Sequence, residues 1–213
     1  MGVPITYQPH LLSPVDASMA MEQLWAELAW VRHDQTPRRE YYVADNGLPY
    51  TYGRDRGRRT YLAQPTHAWI DGVWGLAEQA AGCTFDVCFL NGYVDGKDHL
   101  GWHADDSPEM DDDRPIAIVS LGAEREIWFR PNETTVQRLT DAELAAHIDP
   151  ETAQHNLEAL REKHRTLDKL LLGHGSLCLM QPGMQDTHQH RIPKSPRHDC
   201  GARISFTFRG FKA

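Results

Sequence analysis

The run Arg203–Arg209, RISFTFR, decides how the rest of the chain is read. Alternate residues of an extended strand point to opposite sides. Arg203, Ser205, Thr207 and Arg209 therefore share one face, and Ile204, Phe206 and Phe208 share the other. A half-exposed surface strand gives the same alternation. If the polar face instead points into a barrel, two guanidiniums lie inside it and need anionic partners, because a buried unpaired charge is costly. A small dicarboxylate satisfies both.

Working outward, TFDVCFL (84–90), PIAIVSL (115–121), REIWF (125–129) and SLCLM (176–180) are further short β-type runs, separated by Gly, Pro and Asp clusters. Together they predict an α+β, mainly β fold: an antiparallel sandwich or jelly roll with supporting helices outside it. Ser13-Pro14-Val15-Asp16 supplies a cap, a first-position proline and a carboxylate reaching back, and predicts a helix over about 14–30. Thr66 as cap and Gly82 as stop frame a second helix over about 66–81. Between the later strands, residues 131–172 read as a helical insertion, with Thr140-Asp141-Ala142-Glu143 as a capping box and Asp149-Pro150 as a second helix start.

With 213 residues and 40% hydrophobic content, the expectation is a single domain, 1–213. No apolar run reaches the roughly 18 residues of a membrane span, and no secretory signal pattern opens the chain. The four cysteines form no CxxC pair. These features predict a monomeric protein with no membrane partner, cytoplasmic or, in a eukaryote, nuclear. The formal charge of −8 argues against indiscriminate attraction to polyanions, but it is unevenly spread. Seven arginines face four carboxylates between Arg32 and Arg59, whereas residues 91–113 hold eight carboxylates and one lysine. A basic and an acidic segment are thus available to flank one cleft.

The acidic segment contains NGYVDGKDHLGWHADD, residues 91–106. In its last strand-like stretch His103 and Asp105, two apart, present an imidazole and a carboxylate to one side. A third metal ligand must come from elsewhere, and QDTHQHRIPK offers both His188 and His190. Two histidines and one carboxylate on one face of a metal leave positions open, which suits Fe(II) oxygen chemistry better than a closed structural zinc site.

These blocks, NGYVDGKDHLGWHADD, PIAIVSLGAEREIWFR, HGSLCLM, HRIPK and RISFTFR, with PRREYYVADNGLPYTYG upstream, resemble the AlkB family of Fe(II)- and 2-oxoglutarate-dependent dioxygenases. The resemblance runs from about 30 to 210 except for the insertion. It implies a double-stranded β-helix, with His103, Asp105 and His190 as iron ligands, His190 rather than His188 because it precedes the RIP segment. It implies that Asn91, Tyr93, Arg203, Ser205 and Arg209 hold 2-oxoglutarate, Arg203 at the distal carboxylate and Arg209 at the end chelated to iron. It also implies a nucleotide-recognition lid over about 30–60. There Arg38, Tyr50 and Tyr52 would meet nucleic acid, helped by Asp106, Ser107 and the arginines of GRDRGRR (53–59).

Relatives often carry a carboxylate at the position of Ser107, so base identity is not carried over. Trp30 reads as a packing residue and His99 as a loop residue. The implied activity is oxidative dealkylation of N-alkylated bases in DNA or RNA with O2, releasing aldehyde, succinate and CO2. The alternatives are an iron and 2-oxoglutarate hydroxylase or demethylase of a protein side chain or small molecule, and a non-catalytic binding module.

Overall fold

The computed structural model describes residues 2–34, 36–52, 59–147 and 150–212. Two antiparallel sheets face each other, and the strand Arg203–Arg209 lies inside the larger one. That sheet runs β1 (Ile5–Gln8), β10 (Ser176–Met180), β7 (Ile116–Gly122), β12 (Arg203–Arg209), β5 (Val87–Tyr93) and β2 (Arg39–Ala44), in that order. The smaller runs β6 (Leu100–His103), β11 (His188–Ile192), β8 (Arg125–Pro131) and β9 (Asp168–Leu172). A short hairpin pairs β3 (Tyr50–Tyr52) with β4 (Arg59–Tyr61). This is the expected mainly β, jelly-roll architecture.

The alternation in β12 resolves in favour of a polar interior. Ile204, Phe206 and Phe208 belong to the core that the larger sheet forms with α1 (Pro14–Glu27) and α2 (Ala68–Ala81), alongside Leu24, Ile70 and Val73. The helices occupy the outer face of the sheet, so Arg203 and Ser205 point the other way, between the sheets. Every residue of β12 is buried, which excludes the half-exposed surface strand.

Both N-terminal helices form where anticipated, each with one end shifted. Ser13 Oγ accepts from the Asp16 backbone N–H at 3.1 Å, closing the first turn of α1, but the helix stops at Glu27 rather than near 30. The cap of α2 is His67, whose Nδ1 accepts from Trp69 N at 3.1 Å; Thr66 donates instead to Asp71. Gly82 ends α2 in the left-handed region, φ 69°, as expected. Trp30 packs, its Nε1–H donating to Leu24 O at 3.1 Å.

The insertion is shorter than 131–172. Its helices are α3 (Glu133–His147) and α4 (Pro150–His164), and residues 168–172 have already rejoined the smaller sheet as β9, paired with β8. Thr140 is not a cap. It lies inside α3, fully buried, with its hydroxyl donating to Val136 O at 2.7 Å. The cap is Asn132, whose Oδ1 accepts from Thr135 N at 2.8 Å. Ser and Thr satisfy a helical carbonyl one turn back as readily as they cap, so the TDAE pattern fits both settings. Asp149 lies outside the described residues. No described helix is long and apolar enough to cross a membrane.

Candidate active site

The site lies between the sheets and is assembled from β6, β11 and β12 by strand register. His103 and His190 are direct partners across β6 and β11, and their rings sit 4.2 Å apart between centroids. Asp105, just past β6, lies 3.7 Å from both: Oδ1 from His103 Nε2 and Oδ2 from His190 Nε2. One ligand atom from each of the three falls within 4.8 Å of the others. His188, two residues earlier, is not in this cluster; its Nδ1 is 2.8 Å from Thr187 Oγ1. His99 is a loop residue with its backbone N–H on Pro37 O.

The protonation states suit a metal. His103 Nδ1 lies 2.9 Å from the Gly101 carbonyl, which can only accept, so Nδ1 carries the proton and Nε2 presents a lone pair. Burial pushes the pKa of His103 below its ordinary value, and burial followed by the neighbouring His103 brings His190 to about 3. Asp105 is 1% exposed. Burial alone would raise its pKa, but Arg209, His103 and His190 together pull it below the usual carboxylate value. Two neutral imidazoles and one carboxylate thus lie together, and among the described residues Asp105 Oδ2 and His190 Nδ1 have no hydrogen-bond partner.

Arg209 closes one side of the cluster, donating from Nη2 to Asp105 Oδ1 at 2.6 Å and from Nη1 to Tyr50 Oη at 3.2 Å. Arg203 is different. It is 0% exposed, stacks over the Tyr93 ring at 5.1 Å and donates from Nη2 to Ser120 Oγ and Ser205 Oγ, while its Nε and Nη1 have no hydrogen-bond partner among the described residues. Burial lowers its pKa to about 10. Ser120 and Ser205 are neighbours in register, Ser205 is opposite Asn91, and Asn91 is opposite Glu40. A row of buried polar side chains therefore crosses the inner face of the larger sheet.

On the outer side, Arg38 donates from Nε to Asn91 Oδ1 and from Nη2 to Glu40 Oε1 at 2.8 Å, which holds it in the cleft wall rather than on an open surface. Tyr50 is buried, and its hydroxyl shares a 2.7 Å hydrogen bond with Ser107 Oγ, so the β3 end of the lid touches the loop that carries Asp105. Asp106 is exposed. The Tyr52 side chain and residues 53–58, most of GRDRGRR, lie outside the described residues.

Three contributors escape the sequence reading. Glu40 is a nearly inaccessible carboxylate that accepts from Arg38 and from the Tyr61 hydroxyl at 3.1 Å. Tyr61 packs edge-on against Phe89 at 4.8 Å, and both line the cleft with Arg38, Asn91 and His103. Gln185, on the short helix α5 (Met184–Thr187), accepts the Asp105 backbone N–H at 2.9 Å. Of these only Glu40 had a usable signal: one strand step from Arg38 in PRREYYV, it shares that residue's face.

Comparison with known proteins agrees with this geometry. The sequence model of the 2OG-Fe(II) oxygenase superfamily matches residues 4–209. The alpha-ketoglutarate-dependent dioxygenase alkB homolog 3 of Rattus norvegicus is 29% identical over 218 residues, covering 94% of this chain and 62% of the relative. The DNA oxidative demethylase ALKBH2 of Mus musculus is 30% identical over 173 residues, covering 81% and 61%. The chain therefore spans a little over three fifths of these relatives. The solved structure of OsALKBH1 superposes with a TM-score of 0.62 at 10% identity, covering 99% of this chain and 98% of that one, which speaks to the fold alone. With the matched region reaching from β1 to the last residue of β12, and AlkB homologues as its relatives, the chain belongs to the 2OG-Fe(II) oxygenase superfamily.

Proposed function

We propose that the protein is an Fe(II)- and 2-oxoglutarate-dependent dioxygenase that dealkylates N-alkylated bases in DNA or RNA. The observation that carries it is the pairing of two unmet needs in one interior. The cluster of His103, Asp105 and His190 holds a buried carboxylate oxygen, Asp105 Oδ2, with no hydrogen-bond partner among the described residues, and a buried guanidinium, Arg203, lacks an anion. A divalent metal answers the first and a carboxylate the second. The relatives named as dioxygenases and as a DNA oxidative demethylase support the same reading.

His103, Asp105 and His190 would hold Fe(II), and three protein ligands leave positions free for cosubstrate and O2. Arg203 would take the distal carboxylate of 2-oxoglutarate, supported by Tyr93, Ser120 and Ser205. Arg209 would orient Asp105 and serve the end next to the metal, and Asn91 would complete the pocket. When bound, iron and cosubstrate supply the oxidation of an N-alkyl carbon, after which the hydroxylated product collapses to aldehyde and free base. The chain's own part is to orient and to exclude water. The buried Tyr50 and the aromatic pair Tyr61 and Phe89 form an apolar wall facing the ligands. Aromatic faces suit a base extruded from its stack.

Formaldehyde and succinate release across a panel of methylated DNA and RNA oligonucleotides tests the proposal. Stimulation of succinate formation by at least one member is expected. No stimulation by any would leave the alternative reading, oxidation of a protein side chain or small molecule. That alternative draws on one observation: Ser107 offers a neutral hydroxyl already shared with Tyr50. At the metal, His190→Ala is expected to abolish the absorption that anaerobic Fe(II) and 2-oxoglutarate give together, and His188→Ala to spare it. The reverse pattern would move the third ligand to His188.

A further inference from the structure

The outer face of the smaller sheet carries an ordered row of cations and indole rings that the chemistry between the sheets does not use. Trp102 on β6, Arg191 on β11, Trp128 and Arg130 on β8, and Lys169 on β9 all project away from the metal cluster, since their strand neighbours His103, His190, Phe129 and Leu170 project inward. Arg130 lies over Trp102 at 4.3 Å, and Arg191 lies over Trp102 at 4.7 Å and over Trp128 at 4.2 Å. Lys169 lies over Trp128 at 4.3 Å. The rings hold three cations in a line across four strands. Arg130 is further fixed by Gln189, whose Oε1 accepts from its Nε and Nη2.

This face is open where the other sheet is covered. Helices α1 and α2 lie on the larger sheet, whereas Glu126, Arg130, Lys169 and Leu171 on the smaller one are all exposed. Its charge also runs against that of the whole protein. Three cations stand against Glu126, which binds Trp128 Nε1, in a chain of formal charge −8. The indoles cover the flat faces of the two guanidiniums, and Gln189 takes Nε and Nη2 of Arg130, while Arg130 Nη1 and the Lys169 ammonium meet no hydrogen-bond acceptor among the described residues. These donors remain for oxygen acceptors.

We infer that this row binds the phosphodiester backbone of a single nucleic-acid strand outside the catalytic cleft. The inference rests on the proposed nucleic-acid substrate. Edge strand β6 makes the connection: His103 faces the cleft, and the adjacent Trp102 faces the row. A strand leaving the cleft over that edge meets Arg130 and Arg191 next. Fixed cations favour phosphates over an acidic peptide because contact needs no side-chain identity, only a regular line of anions.

The test uses the full chain carrying Arg130→Gln with Lys169→Gln, both exposed and away from the ligands. Binding of an unmethylated single-stranded oligonucleotide, long enough to leave the cleft, is measured by anisotropy across a salt series. Affinity is expected to fall about tenfold and the slope of log K against log salt to flatten by about one to two, one per lost phosphate contact. Unchanged affinity and slope would overturn the inference, whatever else the face binds. Succinate release on a methylated trinucleotide, too short to reach the row, is expected to stay at the wild-type rate. If instead no methylated nucleic acid of any length stimulates turnover while the salt response still follows the two substitutions, the dealkylation proposal fails and the surface stands.

Discussion

Arg203 and Gln185 show how single buried groups set the site. An unpaired guanidinium in the interior is a cost that the folded protein bears until an anion arrives. Arg203→Met, similar in length and uncharged, is therefore expected to raise the melting temperature of the metal-free protein. The same change should remove the upward shift that 2-oxoglutarate gives the wild type. Thermal denaturation with and without 2-oxoglutarate reads both, and a variant less stable than wild type would show that Ser120, Ser205 and Tyr93 already satisfy the charge. Gln185 acts through another residue. Its amide oxygen holds the Asp105 backbone N–H, tying the metal loop to the segment before β11. Gln185→Leu leaves that buried donor unmet, at a cost of about 1–3 kcal/mol, and is expected to weaken Mn(II) binding roughly 10–100-fold, as loss of an outer hydrogen bond to a ligand does. Titration calorimetry decides it. A stability loss without a change in metal affinity would reduce Gln185 to a packing role.

At the scale of elements, what was legible in the sequence followed periodicity and capping, and what was not depended on register. The alternation in RISFTFR and the HxD spacing each marked a strand face, and the structure puts both faces where a barrel requires them. The C-terminal end of α1 falls short of 30. The caps of α2 and α3 are His67 and Asn132 rather than Thr66 and Thr140, because each of these side chains offers an acceptor able to cap a helix. Only packing decides which one caps. The insertion as read from the sequence takes in β9 because DKLLL begins only a few residues after α4 and owes its edge position to pairing with β8. Asn91 and Ser205 are legible in the sequence, but their joining with Glu40 and Ser120 into one row, and the contact of Gln185 with Asp105, are not, since they link residues far apart in sequence. Gly92, inside NGY, is an element-level constraint of the same kind. A Cβ there would meet Trp25 and Trp30 at 3.2 Å and Arg39 Cβ at 3.3 Å, tighter than ordinary contact. The missing side chain lets α1 and the segment after it close on β5 directly behind Asn91 and Tyr93. Gly92→Ala is expected to cost about 1–3 kcal/mol by overpacking and to lower 2-oxoglutarate affinity as β5 shifts. Chemical denaturation alongside cosubstrate titration tests the two together, and intact affinity at reduced stability would separate the packing from the pocket.

For the whole molecule, the burial of the metal ligands ties folding to pH. His103 and His190 have pKa values below 6.5 in the folded protein, His190 at about 3, while in the unfolded chain both return to near 6.5. Below pH 6.5 the unfolded chain therefore binds protons that the folded chain refuses, and stability falls with pH until the folded histidines also titrate. Asp105, whose pKa Arg209 and the two histidines hold below the ordinary carboxylate value, adds a loss only below that ordinary value. The window from pH 6.5 down to 4 thus belongs to the histidines, with a slope of up to about 1.4 kcal/mol per pH unit for each proton excluded. The metal-free protein is expected to lose stability steadily across this window, and His190→Gln to lose it more gently. Parallel curves for the two proteins would show that His190 protonates as readily folded as unfolded. Metal binding should behave differently. Because the imidazoles are already neutral in the fold, Mn(II) affinity is expected to change little between pH 7 and pH 6, where an exposed two-histidine site would weaken as its ligands protonate.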